Sequence, residues 1–324
     1  MIVFASNATG WDEQAQALIP GGMVDAYISP ILAHLDPSAY RVERQPRPGA
    51  VNAYLSMRGR YRVRREIGKV GVMIDHGIAD KDYRRGLKMS TFHYVTVPGP
   101  TVADRVVSGG VPRRKVVQVG YPKLDPLFNG DVPRVPRPAG GRIRVLWAPT
   151  HGGGSEAWQD GNRAAPGAGA TSWWAREEVL SALDPDLFEL TEAPHPRHRP
   201  DKRATLAEYA SADVVIADGG STIYEAWALG LPVVFPSWVT RDRNLERAGG
   251  ATLEARIYRE RIGYHADSPQ HLADLVAQAA EEGQGERAVQ FVAGVLPPEV
   301  RGRGGELHAE FLAGLDAAKW RGRG

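Results

Sequence analysis

Short runs of β-branched residues alternate with helix-length amphipathic segments along this chain, and that alternation leaves few folds open. Residues 2–5, 40–44, 70–74, 93–97 and 116–119 read as strands in the first part, and 143–148, 187–191, 214–217 and 233–235 in the second. Helical spacing falls near 173–183, 205–211, 221–229 and 271–282. Such a βα series predicts parallel sheets covered on both faces. A stretch holding Pro126, Pro133, Pro136 and Pro138, with little periodicity, separates the two series. The expectation is an α/β protein of two doubly wound, Rossmann-like domains facing a cleft. Their ranges are 1–125, a linker at 126–141, then 142–300, followed by a packing helix in 301–324 with Leu307, Phe311, Leu312, Leu315 and Ala318 at helical spacing.

Composition narrows the function classes. With 324 residues, 43% hydrophobic and 24% charged, the chain has material for two cores, and a formal net charge of +2 makes it no polycation. It contains no cysteine, which removes disulfides, thiolate nucleophiles and cysteine zinc sites. Asp12 and Glu13 stand where an export signal would be apolar, and the longest apolar stretch, 227–239, is broken by Gly230, Pro232 and Pro236. The expected location is the cytoplasm, with a peripheral place at the inner membrane face as an extension of that reading.

In open parallel sheets ligands bind beyond the carboxyl ends of the strands. The residues at those ends here are chemically loaded. Asp218-Gly219-Gly220-Ser221-Thr222 follows one strand and opens a helix, which offers free N–H groups, two hydroxyls and the positive end of a helix dipole to an anion. Glu225, one turn after Ser221, is placed to accept hydrogen bonds from ribose hydroxyls; capping by Ser221 and a solvated Glu225 are the plainer alternatives. His195, Arg197 and His198, stiffened by prolines, suit a diphosphate and the charge that grows on a leaving group. His76, after a buried strand and before Gly77, has the character of a general base, with Asp75 as its orienting partner or as a cap. Lys123, in Gly120-Tyr121-Pro122-Lys123-Leu124-Asp125, is a phosphate contact or a hinge residue, and Thr150 and His151 are candidates to touch donor or acceptor. The Gly-rich stretch 152–171 reads equally as a lid or as a surface insertion.

Taken in order, these runs resemble the CDP-glycerol glycerophosphotransferase family of teichoic-acid priming and polymerisation, which shares the GT-B architecture. The matching stretches are Asp75-His76-Gly77, 120–125, Ala148-Pro149-Thr150, His195-Pro196 and 218–222, and together they span residues 70 to 240. The resemblance implies that His76 deprotonates an acceptor hydroxyl, that His195 and the Ser221-Thr222 turn bind donor phosphates, and that Glu225 sits near the nucleotide ribose. Where the family continues with a Thr and a nearby Lys after its His-Gly pair, this chain has Ile78-Ala79-Asp80-Lys81. Where the family has an aromatic and a basic residue after Ala-Pro-Thr, this chain has His151-Gly152.

The leading expectation is therefore a transferase moving a glycosyl or glycerophosphate group from a nucleotide diphosphate donor to the hydroxyl of a polyol, glycan or polymer acceptor. No Asp-x-Asp pair stands at these strand ends, so neither metal nor resident cofactor is expected. Two alternatives use the same scaffold. One is a nucleotide-sugar 2-epimerase, which needs additional acid–base carboxylates. The other is a phage-type DNA-modifying glycosyltransferase, suggested by Arg58, Arg60, Arg62 and Arg64 around Tyr61, a run suited to nucleic acid, an anionic membrane or a polyanionic acceptor. A solvated basic face is the plainer account of that run.

Overall fold

The computed structural model describes residues 1–6, 10–55, 70–74, 77–79, 89–150, 171–195, 198–199, 203–239 and 252–317. In chain order the strands are β1 (Ile2–Ala5), β2 (Trp11–Asp12), β3 (Ala17–Leu18), β4 (Tyr40–Glu43), β5 (Val51–Tyr54), β6 (Val70–Ile74), β7 (Tyr94–Val97), β8 (Val116–Gln118), β9 (Ile143–Trp147), β10 (Phe188–Glu192), β11 (Val214–Ile216), β12 (Val233–Pro236) and β13 (Tyr264–Ala266). The helices are α1 (Met23–Leu32), α2 (Pro100–Ser108), α3 (Asp125–Phe128), α4 (Arg176–Ser181), α5 (Leu206–Ser211), α6 (Ser221–Ala228), α7 (Leu253–Glu260), α8 (Leu272–Glu282), α9 (Glu286–Val295) and α10 (Gly304–Ala317).

Two parallel sheets organise these elements. The first runs β4-β1-β5-β6-β7-β8 and the second β10-β9-β11-β12-β13, every pairing within them parallel. In each, the first strand in sequence is flanked by the second on one side and the third on the other. The order therefore reverses between β1 and β5, and again between β9 and β11, which defines two topological switch points. This is the doubly wound α/β architecture that the βα alternation predicts.

Side-chain alternation divides the second sheet cleanly between its two faces. Val145, Trp147, Val214, Ile216 and Val234 enter a core closed by Val179, Leu272, Val276 and Ala279. Leu146, Ala148, Val215, Ala217, Val233 and Phe235 enter the opposite core, which continues without interruption into that of the first sheet. Helix α6 lies within this shared core and is buried at every position from Ile223 to Ala228. Trp227 on α6 meets Phe291 of α9 edge to face at 5.9 Å.

The chain then returns to the first sheet. Tyr94 on β7 packs edge to face with Phe311 of α10 at 5.4 Å, and a Cβ on Gly305 would stand 2.7 Å from the backbone carbonyl carbon of Pro30 in α1. The Asp125 carboxylate accepts from Gly304 N at 3.2 Å and Gly305 N at 2.6 Å, supplying partners for the first N–H groups of α10. Burial nonetheless raises the Asp125 carboxyl to about 6, against the lowering effect of those two N–H donors.

Candidate functional site

The switch point between β9 and β11 holds a buried, hydrogen-bonded polar cluster. Asp218 follows β11 and is 1% exposed. Its carboxylate accepts from Thr150 N at 2.8 Å and from Ser172 Oγ at 2.8 Å, as well as from Ser172 N, while its carbonyl accepts from Tyr258 Oη at 2.9 Å. Thr171 Oγ1 donates to Thr150 O at 2.5 Å. Burial raises the Asp218 carboxyl to about 6, opposed by the hydrogen bonds from Thr150 and Ser172. Asp218 thus fixes Thr150 over the turn that follows: a Cβ on Gly220 would lie 3.2 Å from Thr150 Oγ1, and Gly220 has φ of +79°, a conformation that costs glycine little.

That turn feeds α6, whose N-terminus carries no side-chain cap. Its first-turn N–H groups and dipole remain directed at the switch point. The Ser221 hydroxyl accepts from Ile78 N at 3.0 Å and Ala79 N at 3.4 Å, two residues of the segment after β6 in the first sheet. A hydroxyl has one hydrogen and two lone pairs, so a Ser221 oxygen that accepts twice has its O–H left to donate. Gly77 abuts the same atom, a Cβ there lying 3.0 Å from Ser221 Oγ. The carboxyl-end segments of β6 and β11 therefore meet across the two sheets.

Glu225 and Lys123 have a different placement from the one expected. Both are buried, and Lys123 Nζ lies 2.8 Å from each Glu225 carboxylate oxygen; Tyr121 Oη donates to Oε1 at 2.8 Å and Tyr209 Oη to Oε2 at 2.9 Å. Glu225, 1% exposed, has its carboxylate lone pairs taken by these four donor contacts, so in this arrangement it offers none to a ribose, and Lys123, 5% exposed, is committed to Glu225. The pair instead joins the segment after β8 to α6. Burial, reinforced by the Glu225 charge, pushes both Tyr121 and Tyr209 well above the usual tyrosine range, and the Thr222 hydroxyl also bonds Tyr209. Thr222 is thus tied into the fold, while Ser221 keeps its O–H to donate beside the backbone N–H groups at the end of α6.

His195 follows β10 and is half-buried, its carbonyl accepting from His198 N at 2.7 Å. His198 stacks on Trp173 at 4.6 Å, and Trp173 stacks in turn on Trp147 at 6.1 Å. Arg199 is buried and braces this turn through Pro194 O at 2.7 Å, Thr205 Oγ1 at 3.0 Å and Glu208 at 3.5 Å. The prolines expected to stiffen the segment are accompanied by an arginine clamp that the sequence pattern did not single out. Asp75, His76, His151, Arg197, and Arg58, Arg60, Arg62 and Arg64 lie outside the described residues, as does nearly all of 152–171.

Sequence reasoning missed the tyrosines at 121 and 209, because both occupy positions that read as ordinary core. It also left Asp218 without a role, although a carboxylate directly after a buried β-branched strand and before two glycines is a usable signal. Ser237, half-buried after β12, and His265 on β13 form a further pair, with Ser237 Oγ and His265 Nδ1 2.9 Å apart.

Two parallel sheets of this topology, with a helix N-terminus at the switch point of the second, constitute a GT-B architecture. Among solved structures, the wall teichoic acid polymerase TagF is similar with a TM-score of 0.60 at 12% identity, over 98% of this chain and 88% of that one. A form of TagF soaked with CDPG gives the same TM-score and identity, over 97% of this chain and 88% of that one. Methanocaldococcus jannaschii UDP-GlcNAc 2-epimerase, in complex with UDP-GlcNAc and UDP, follows with a TM-score of 0.52 at 12% identity, over 96% of this chain and 98% of that one. No protein-family model and no curated protein sequence matches the chain.

Among the described residues, no helix is long and apolar enough to cross a membrane.

Proposed function

We propose that the protein is a GT-B-type transferase that moves a glycosyl or glycerophosphate group from a nucleotide diphosphate donor to an acceptor hydroxyl. The observation that carries this reading is the meeting of Ser221 with Ile78 and Ala79. It brings an uncapped helix N-terminus suited to a diphosphate next to a first-sheet segment that begins, in sequence, immediately after His76. The likeness to TagF, including the form soaked with CDPG, supports the same reading through the fold.

In the proposed reaction the donor's diphosphate lies against the first turn of α6, receiving hydrogen bonds from backbone N–H groups and from the Ser221 hydroxyl. His76 takes the proton of the acceptor hydroxyl as its oxygen attacks. With a CDP-glycerol-like donor, attack at phosphorus forms a new P–O bond, breaks the bond to the bridging oxygen and releases CMP. With a nucleotide sugar, attack at the anomeric carbon releases the nucleoside diphosphate. In both cases negative charge grows on the departing phosphate, where the helix terminus and His195 stabilise it. Neither route calls for a resident cofactor.

Thermal-shift screening against CDP-glycerol, CDP-ribitol and UDP-, GDP- and dTDP-sugars tests the donor class, because a ligand that binds only the folded chain raises its unfolding temperature. Turnover of the donor that binds should then disappear in His76→Ala while its affinity is retained. Full turnover in that variant, or no shift with any nucleotide donor, refutes the proposal.

A further inference from the structure

Ser237 stands at the carboxyl end of β12, the strand beside β11. The pairing of Ile216 with Val234, continued by Ala217 N donating to Val234 O at 3.2 Å, brings the end of β12 alongside the Asp218-Gly219-Gly220 turn. Neighbouring strands lie about 4.8 Å apart, so Ser237 is roughly one strand spacing from the turn that leads into α6. Tyr258 spans the same short distance from beneath: its hydroxyl holds Asp218 O at 2.9 Å, and its ring meets Phe235 and His265, each at 5.4 Å.

The hydrogen-bond direction at Ser237 follows from its neighbour. His265 is 7% exposed and stacks on Phe235 at 4.7 Å. Its Nε2 lies 3.1 Å from Ile262 O, and a carbonyl oxygen only accepts, so Nε2 carries the proton. Burial brings the imidazole down to about 4, so it is neutral near pH 7 and Nδ1 is an acceptor. Ser237 must therefore donate its one hydrogen to His265 Nδ1, 2.9 Å away, which leaves its oxygen as an acceptor only. Among the described residues, Ser237 Oγ has no other hydrogen-bond partner.

We infer that Ser237, oriented by His265, is the residue that accepts a hydrogen bond from a ribose hydroxyl of the nucleotide whose diphosphate occupies the end of α6. The inference rests on the function proposed above and assigns the sugar of the nucleotide to a specific atom. Three relationships carry it. Ribose is joined directly to the diphosphate, so it falls within a few ångströms of the helix terminus. Its free hydroxyls donate, which matches an oxygen that only accepts. The carboxylate expected to meet them, Glu225, is already saturated by Lys123, Tyr121 and Tyr209.

The test is isothermal titration of the whole chain with CDP, UDP and GDP, then with the 2′-deoxy and 3′-deoxy forms of the tightest binder. Wild-type protein should bind one of the deoxy forms roughly fivefold more weakly, the size expected for a single hydrogen bond. Ser237→Ala should bind the parent nucleotide roughly fivefold more weakly and no longer distinguish it from that deoxy form, while Ser237→Thr, which keeps a hydroxyl, should restore the distinction. His265→Phe, which keeps an aromatic ring against Phe235 but removes the acceptor, should reduce the distinction. Wild-type indifference to both deoxy forms overturns the inference without any variant, and so does a Ser237→Ala protein that still discriminates. If wild-type protein binds none of the three diphosphates, the ribose assignment fails; if it also shows no thermal shift with any of the nucleotide donors, the proposed function fails with it.

Discussion

Lys123 Nζ lies 2.8 Å from both carboxylate oxygens of Glu225, in a pocket closed by the hydroxyls of Tyr121 and Tyr209. Lysine and glutamate come from segments attached to different sheets, so the pair is a buried ionic link between the end of the first sheet and the helix that points at the switch point of the second. Such a pair gains little over a well-packed apolar one, but breaking it strands a buried charge. Lys123→Met alone should therefore destabilise the protein by about 3–5 kcal/mol. The double variant Lys123→Met/Glu225→Leu should recover much of that loss. Urea unfolding of the two variants beside wild type measures both, and equal losses would show that the buried charge is not the cause.

The carboxyl of Asp125 gives a pH signature with a definite sign. Its folded value of about 6 exceeds its ordinary value of 3.8, so the folded chain holds this proton longer than the unfolded one does. The associated stability is complete below about pH 4 and is lost as pH rises through 6. A shift of roughly 2 units at about 1.4 kcal/mol each gives an order-of-magnitude loss of ~3 kcal/mol. Asp125→Asn has no such loss, so the stability difference, variant minus wild type, should climb by up to about 3 kcal/mol between pH 4 and 6. A difference that is flat across this window in chemical denaturation would contradict the raised carboxyl.

His308 contributes with the opposite sign. It is fully buried, with Nδ1 2.8 Å from Gly304 O, and burial draws it down from 6.5 to about 4. Between those values the unfolded chain binds the extra proton, so this residue makes the protein more stable as pH rises. His308→Gln should flatten that rise relative to wild type over pH 4 to 6.5, by up to roughly 3 kcal/mol. The measurement is the same pH series of unfolding curves, and a difference that grows with pH instead would reverse the assignment.

Three glycines separate packing from propensity. A Cβ on Gly304 would stand 2.6 Å from Pro122 N, and one on Gly305 2.7 Å from the Pro30 carbonyl carbon, whereas one on Gly314, in the same helix, meets nothing within 4 Å. Alanine at 304 or 305 should destabilise by about 1–3 kcal/mol or more through overpacking. Alanine at 314 should stabilise by about 0.5–1 kcal/mol. Thermal unfolding of the three variants decides the matter, and a uniform effect would rule out the close approach of α10 to α1.

At the candidate site, Gly220→Ala places a side chain in a left-handed conformation and against Thr150 Oγ1. With ψ of −167° this backbone region is essentially reserved for glycine, so the strain is about 1–3 kcal/mol, and it falls on the turn that sets the first N–H groups of α6. The expected result is a modest drop in melting temperature together with a much smaller thermal shift from nucleotide diphosphates. An undiminished shift would move the anion away from this turn.

Strands whose sequences are dense in β-branched residues, such as those around 70–74, 143–147 and 214–216, were legible because a strand buried on both faces needs little else. β5 was not, although all four of its residues are buried. Its Asn52 reads as a turn residue, and only the structure reveals that the amide satisfies itself on Arg47 N and O and Ala50 O. α1 escapes the pattern for a related reason, since Pro30 stands inside it. At the site, the phosphate-suited turn could be read locally because strand, glycines and helix are contiguous. The fate of Glu225 could not, because its partner Lys123 lies 102 residues away and a spacing rule within one helix carries no information about it. The Ser237–His265 pair was invisible for the same reason, its members being 28 residues apart, one just after β12 and the other on the neighbouring β13.

The return of α10 to the first sheet bears on how the protein is made. Asp125 meets Gly305 across 180 residues of intervening chain, so the first sheet is synthesised long before the helix that covers it. During translation its exposed apolar face must wait, through the emergence of the entire second sheet, for residues 304–317 to leave the ribosome. The first sheet can therefore complete its core only after the second has been made, a long-range closure of the kind that slows folding.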